Sequence, residues 1–296
     1  MQAGEANRLR VSLWRIHVSG VTVAQPTSID ESKLRHPWEN TVFVASVLLN
    51  ILIFLAALWF VNYGGEWLKE HPLLGKRVQE LKALAFAAVL AVPALPLIRN
   101  LRRAHVRGHS VQLSPRQLPQ IHEILVRQCA RLGMPVPELY LSDDAIHDDA
   151  RAYTAWKTSY LVLDTEYIDR VLADSREVIA FLLGRELGRI RLHQAAWWDE
   201  ILLAYVVKAP ILRRPLRRIR AYSRDRYGAV LAPEGIKGIL VCAAGRRVLP
   251  DVNIPVYMEE LQQHEGFWDR ISELVAEEPH VTNRIRALIK AGLAHA

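Results

Sequence analysis

The residues best suited to chemistry stand in two short runs. Gly184-Arg185-Glu186-Leu187-Gly188-Arg189 sets a carboxylate between two guanidinium groups, and Arg220-Ala221-Tyr222-Ser223-Arg224-Asp225-Arg226 sets a second carboxylate among further cations. On a helix, Arg185 and Arg189 share one face because four residues separate them. Val178, Phe181 and Leu192 recur on that side, so both arginines lie among apolar positions. A carboxylate such as Glu186 can act as a general base, and paired arginines can clamp an anionic small molecule or lipid. Arginine stays protonated and offers donors only, so neither guanidinium can ligate a metal. Taken alone, Arg-Glu-x-x-Arg is also the ordinary solvated face of a helix, so its meaning depends on the surrounding elements.

Those elements can be read locally. Asp174 with Glu177 forms a capping box, and a helix over residues 175–193 carries the first run. Upstream, Ser114-Pro115-Arg116-Gln117 reads as a capping box with proline at the first helical position. Ile121, Ile124, Leu125, Cys129 and Leu132 follow at helical spacing, and Gly133 ends that helix. Residues 138–141 and 159–163 are short strand candidates. Residues 195–212 contain Trp197, Trp198 and an apolar run interrupted by Asp199, Glu200 and Lys208; a core helix, an interfacial helix and a third membrane span all remain open there. Seven arginines then fall within the fourteen residues 213–226, as a solvated face or as a contact for anionic lipid headgroups.

The N-terminal part reads as an anchor. Residues 41–61 are apolar apart from Asn50, and a helix of that length covers ~30 Å of hydrocarbon. Residues 83–98 form a second, shorter apolar run broken by Pro93 and Pro96, which needs tilt, bilayer thinning or helix packing to cross. The expected organisation is an N-terminal cytoplasmic tail over 1–40, a transmembrane hairpin over 41–98 and a folded domain over 99–296. Arg99, Arg102, Arg103 and Arg107 after the second span, with Lys33 and Arg35 before the first, favour both termini in the cytoplasm. The net charge of +7 then points to anionic lipid, and no nucleic-acid-binding motif is present. Cys129 and Cys242 lie far apart in apolar stretches, as unpaired thiols do.

In the order of these features the chain resembles the HtpX-like and CAAX-prenyl-protease-type integral membrane zinc metallopeptidases. The hairpin, the 114–117 segment, Leu132-Gly133-Met134-Pro135-Val136-Pro137 before a strand, the motif helix and the Arg284-Ile285 region follow that family's sequence. In the family the motif reads His-Glu-Leu-Gly-His, and two imidazoles at that spacing hold one zinc while the glutamate acts on its water. Here Arg185 and Arg189 stand at the histidine positions and only Glu186 is kept. The family's third ligand, a glutamate four residues before an aspartate, is matched by Ala221, with the aspartate kept as Asp225. Its His-Pro before the late arginine is matched by Glu278-Pro279.

The resemblance implies a mainly helical α+β fold, a zincin-like metallopeptidase domain on a transmembrane helical hairpin, in the plasma membrane with its soluble domain cytoplasmic. Zinc, expected of the family, is expected to be absent, and Glu186 to be a vestigial general base. His147, His193, His264 and His280 are scattered and do not suggest a relocated site. The function expected is that of a pseudo-protease, a scaffold or regulator of a membrane protein such as an active relative. An active peptidase with unusual ligands, or a binder of an anionic ligand through the arginine-lined former metal site, are the alternatives. Arg185 and Arg189 are expected to pair with Asp225 or Glu186.

Overall fold

Two long helices lead the chain, because its two apolar runs are bounded by residues that sustain a helix well past them. A computed structural model describes residues 30–69, 78–142, 150–155, 158–164, 176–240, 253–260 and 266–294. In it α1 (Glu39–Lys69) and α2 (Val78–His109) pack side by side as a hairpin. Both are long and apolar enough to cross a membrane, and only 11% and 6% of their most apolar windows are buried. Side chains such as Leu48, Leu52, Leu84 and Leu97 open outward instead of into a core. A water-facing helix pair with that surface would be unfavourable, which supports membrane association. The expected interruption of the second run does not occur: Pro93 and Pro96 sit inside α2, and the helix continues through both. Continuing the helix leaves few backbone groups without a partner, which an apolar surrounding requires.

After the hairpin comes a small mixed sheet in the order β1-β2-β4-β3. β1 (Val111–Leu113) runs antiparallel to β2 (Glu138–Ser142), β2 parallel to β4 (Thr158–Asp164), and β3 (Ala150–Ala155) antiparallel to β4. The two strands expected from sequence are β2 and β4. α3 (Pro119–Leu132) connects β1 to β2, but not from the expected cap. Residues 114–117 instead close a tight turn through reciprocal Ser114 and Gln117 backbone hydrogen bonds of 3.1 and 2.9 Å. The helix opens at Pro119 after Leu118, which is left-handed at φ 55° and supplies no side-chain cap. A proline is at the first helical position, four residues later than the sequence suggested. Gly133, left-handed at φ 60°, ends α3 as expected.

α4 (Arg176–Arg191) is the central helix, buried without a break from Phe181 to Gly188. Its apolar side chains join one buried cluster with Leu125, Cys129, Leu139, Leu161 and Leu163 of α3 and the sheet and with Tyr227, Leu231, Ile239 and Ile285 from later in the chain. Burial pushes the Cys129 thiol up to about 12, as for an inert core cysteine, whereas Cys242 and the Asp174 half of the expected α4 cap lie outside the described residues. α6 (Pro210–Leu231), preceded by the short α5 (Trp197–Leu202), packs along α4, and a 3-10 segment (Pro233–Leu240) covers their junction. α7 (Ile254–Glu260), α8 (Phe267–Val275) and α9 (Val281–Lys290) complete a mainly helical architecture.

Residues 195–212 are neither a continuous core helix nor a third span. α5 ends at Leu202, and turns over 203–209 press against the hairpin. Asn50 of α1 accepts the Tyr205 backbone N–H at 2.8 Å and the Val206 N–H at 3.4 Å, while the Tyr205 hydroxyl donates to the Ala88 carbonyl of α2 at 2.9 Å. The polar residue that looked out of place in the first span is therefore the acceptor for a turn lodged beside both helices. Leu203 and Val206 are fully buried there, and Trp197 and Trp198 stay partly exposed.

Candidate functional site

The two chemistry-bearing runs meet where α4 crosses α6. Glycine permits the approach: a Cβ on Gly188 would lie 2.5 Å from the Tyr227 Cβ, and one on Gly228 would lie 2.8 Å from the Arg185 Cγ. The glycine in the first run is thus a helix-packing residue, a role that small residues at 184, 188 and 228 signal in the sequence.

At the crossing, Arg185 Nε lies 2.8 Å from Asp225 Oδ1, with the two side chains 9% and 2% exposed. Arg284 of α9 reaches the same carboxylate from another side, donating from Nε and Nη2 at 2.7 Å each. Asp225 is therefore shared by two buried guanidinium groups. Arg189 pairs with Glu186 on its own helix at 3.5 Å. Both pairings match the expectation that Arg185 and Arg189 pair with Asp225 or Glu186. Ala221 is fully buried one turn before Asp225, and its methyl group offers no donor to a metal.

Glu278 closes the cluster, 3.4 Å from Arg224 and 3.7 Å from Arg284. Burial alone would raise its carboxyl, but the fields of Arg224, Arg185, Arg284 and Arg217 outweigh that and hold it at about 2. Burial also pulls the Arg224 guanidinium down; Glu278 opposes that shift, and the nearby Arg189 and Arg185 add to it. Glu278 is thus a carboxylate placed where four cations converge.

Further contacts tie the junction to the anchor, and no local sequence pattern signals them. The buried Glu39, at the start of α1, accepts from the Ser223 hydroxyl and from Gln194 Nε2, the latter at 2.9 Å. The same Ser223 oxygen accepts the His36 backbone N–H at 2.9 Å. Glu31 binds Arg191 through contacts of 2.8 to 3.1 Å, and Arg226 donates to the carbonyls of Lys33 and Arg35. Residues 31–39 are thus a strap across α4 and α6, whereas the sequence had assigned them to a tail.

Among the described residues, the candidate histidines do not join the site. His193 is exposed and left-handed at φ 58°, His280 lies 3.1 Å from the Ser272 hydroxyl, and His147 and His264 are outside the described residues. Among the described residues, no group of three or more His, Cys, Asp or Glu side chains is placed to hold a metal ion.

The chain is 25% identical over 175 residues to the plastoglobule-localized metallopeptidase 48, chloroplastic, of Arabidopsis thaliana. The relationship is metallopeptidase-like. The likeness covers 53% of this chain and 50% of that protein, so the chain spans about half the length of the relative it matches. No protein-family profile and no solved structure matches the chain. Arg185, Arg189 and Ala221 bring no metal-donor side chain to the two runs. Arginine and alanine provide no lone pair at those positions.

Proposed function

We propose that the chain is a membrane-anchored metallopeptidase homologue of zincin-like fold that has lost its catalytic metal. It acts as a non-catalytic scaffold or regulator of another membrane protein, such as an active relative, from the cytoplasmic face of the plasma membrane. One observation carries this reading: the α4–α6 crossing is closed by Arg185 and Arg284 on a single buried Asp225. A catalytic zinc needs three protein donors and an open position for water. Here two of the three ligand positions are permanently cationic and the third is a methyl group, so the residues present do not fit zinc. Glu186, paired with Arg189, is a vestigial base without an activated water to work on. What the fold keeps is a rigid junction of two helices tied through Glu39 and Ser223 to the anchor, which suits a binding role.

The test uses the full chain purified in mild detergent. Elemental analysis after dialysis should find far less than one zinc per chain, and an unfolded substrate such as casein should stay intact with zinc added. Near-stoichiometric zinc, or cleavage blocked by a chelator, would overturn the reading. For the scaffold role, a defined membrane protein should co-purify at constant ratio through high-salt washes. Recovery of the chain alone from native membranes would count against it.

A further inference from the structure

We infer that the arginine-rich start of α6 builds a binding site for a phosphate-bearing anion at the foot of the hairpin, beside the Asp225 junction. The inference does not depend on the loss of a metal. A cavity of about 300 Å³ lies between α2, residues 194–208 and α6. That is at the lower end of small-molecule sites, roughly 300 to 1,000 Å³, and is matched to a headgroup more than to a peptide.

Its lining is strongly cationic. Eight arginine and lysine side chains face it against three carboxylates. Four of the cations, Arg213, Arg217, Arg220 and Arg224, fall at spacings of four, three and four, so one face of α6 presents them together. They are not a freely solvated face, for their side chains are only 11% to 37% exposed. The lining carboxylates are already engaged: Asp199 with Arg220 at 2.5 Å, Glu200 with Arg99 at 2.6 Å, and Glu278 with Arg224 at 3.4 Å. Glu277, just outside, takes Arg213 and Arg217. Even with Glu277 and the Arg189 partner Glu186 counted, eight cations face five carboxylates. Like charges held this close in a partly desolvated site repel unless an anion enters. Guanidinium forks suit the oxygens of a phosphate, which they bind in pairs.

The apolar lining places this site at the membrane surface. Leu95 lies one turn deeper in the apolar stretch of α2 than Arg99, and Ala204 and Val207 belong to the turn that Asn50 and the Ala88 carbonyl hold against the hairpin. Leu95, Ala204 and Val207 thus put apolar surface on the hairpin side of the cavity, and α6 supplies four of its cations, with Arg99 and Arg102 following Leu95 on α2. Trp197, Trp198, Leu202 and Ile211 are exposed on the same elements, as residues at a lipid headgroup boundary are. A phospholipid headgroup has the matching division, with a phosphate at one end and acyl chains at the other. A free phosphate compound shares the anion and lacks the chains.

The experiment separates those sources with the full-length protein. Native mass spectrometry from mixed micelles should show one phosphatidylglycerol retained per chain, preferred over phosphatidylcholine by roughly tenfold or more. Arg102→Gln combined with Lys208→Gln, two exposed lining positions, should reduce retention by a similar factor. Arg127→Gln, an exposed cation on α3 away from the cavity, should leave retention unchanged. In a parallel arm, thermal unfolding is followed in inorganic phosphate and in chloride at equal ionic strength. Phosphate that stabilises wild type but not the double variant, without lipid preference, assigns the site to a free phosphate compound. Equal retention of both lipids with no phosphate effect overturns the proposal. So does a double variant that binds like wild type, or an Arg127→Gln loss as large as that of the double variant.

Discussion

Asp225→Asn is the most informative single change, because the buried Asp225 carboxylate pairs with both Arg185 and Arg284. The substitution keeps shape and removes charge. Two guanidinium groups, 7% and 1% exposed as residues, would then face a neutral amide whose nitrogen is itself a donor. Breaking a buried pair from one side costs about 3 to 5 kcal/mol, against a total domain stability of about 5 to 15 kcal/mol. Glu278 can take over part of Arg284, from which it is 3.7 Å away, so the lower half of that range is expected. For a domain of ~150 to 250 residues, 3 kcal/mol lowers Tm by about 6 to 12 °C. Tryptophan fluorescence during heating of the detergent-solubilised chain reads this directly, since the protein has eight tryptophans. Arg127→Gln is the control: it breaks an exposed pair with Glu123 on α3 and should cost under about 1 kcal/mol. Adding Arg185→Met to Asp225→Asn removes one of the two stranded cations and should recover part of the loss. If Asp225→Asn shifts Tm no more than the control does, the buried network is not what holds α4 against α6.

Three other outcomes are expected. Arg185→His, Arg189→His and Ala221→Glu together should give partial zinc binding with little proteolysis, read by elemental analysis, since Arg284 and Glu278 still surround the site with an ion-pair network that does not orient metal ligands. A triple variant without any zinc would place the ligand positions elsewhere in the chain. The Glu278 carboxyl is held at about 2 in the fold against an ordinary 4.5, so its contribution to stability is present above about pH 4.5 and is lost as pH falls towards 2. Glu278→Gln should flatten that part of the Tm profile, and an unchanged acid limb would remove Glu278 from the account. Arg107→Cys, near the end of α2, should resist a membrane-impermeant thiol reagent in intact cells if the soluble domain is cytoplasmic, and labelling from outside would reverse the topology.

Much of the frame was legible because its signals are local. A run of apolar residues long enough for a bilayer, a glycine that ends α3, and short β-rich segments at β2 and β4 each depend on neighbours in sequence. The misplaced cap shows how such signals fail. Ser114-Pro115 and Leu118-Pro119 both offer proline to a first turn, and pairing of β1 with β2 sets the start of α3 later than the stronger sequence pattern does. Residues 195–212 were ambiguous for a different reason. Their turns exist because Asn50, some 155 positions earlier, supplies an acceptor, and no window of local sequence contains both partners.

The site divides in the same way. Arg185, Glu186, Arg189, Ala221 and Asp225 could be placed from spacing and resemblance, and the geometry brings Arg185 to Asp225 and Arg189 to Glu186. Arg284 and Glu278 were harder, since their importance lies in charge balance among residues far apart in sequence. Buried arginines at 185, 224 and 284 require carboxylates, and Asp225 alone cannot serve all three. Glu278 becomes intelligible once that count is made: a neutral or cationic group at its position would leave Arg224 and Arg284 short of a counter-charge. Arg185, Arg224 and Arg284 therefore act together with Asp225 and Glu278 in holding α4 against α6. On the proposed reading, the triple variant changes only part of that network, which is why it is expected to bind metal before it regains chemistry.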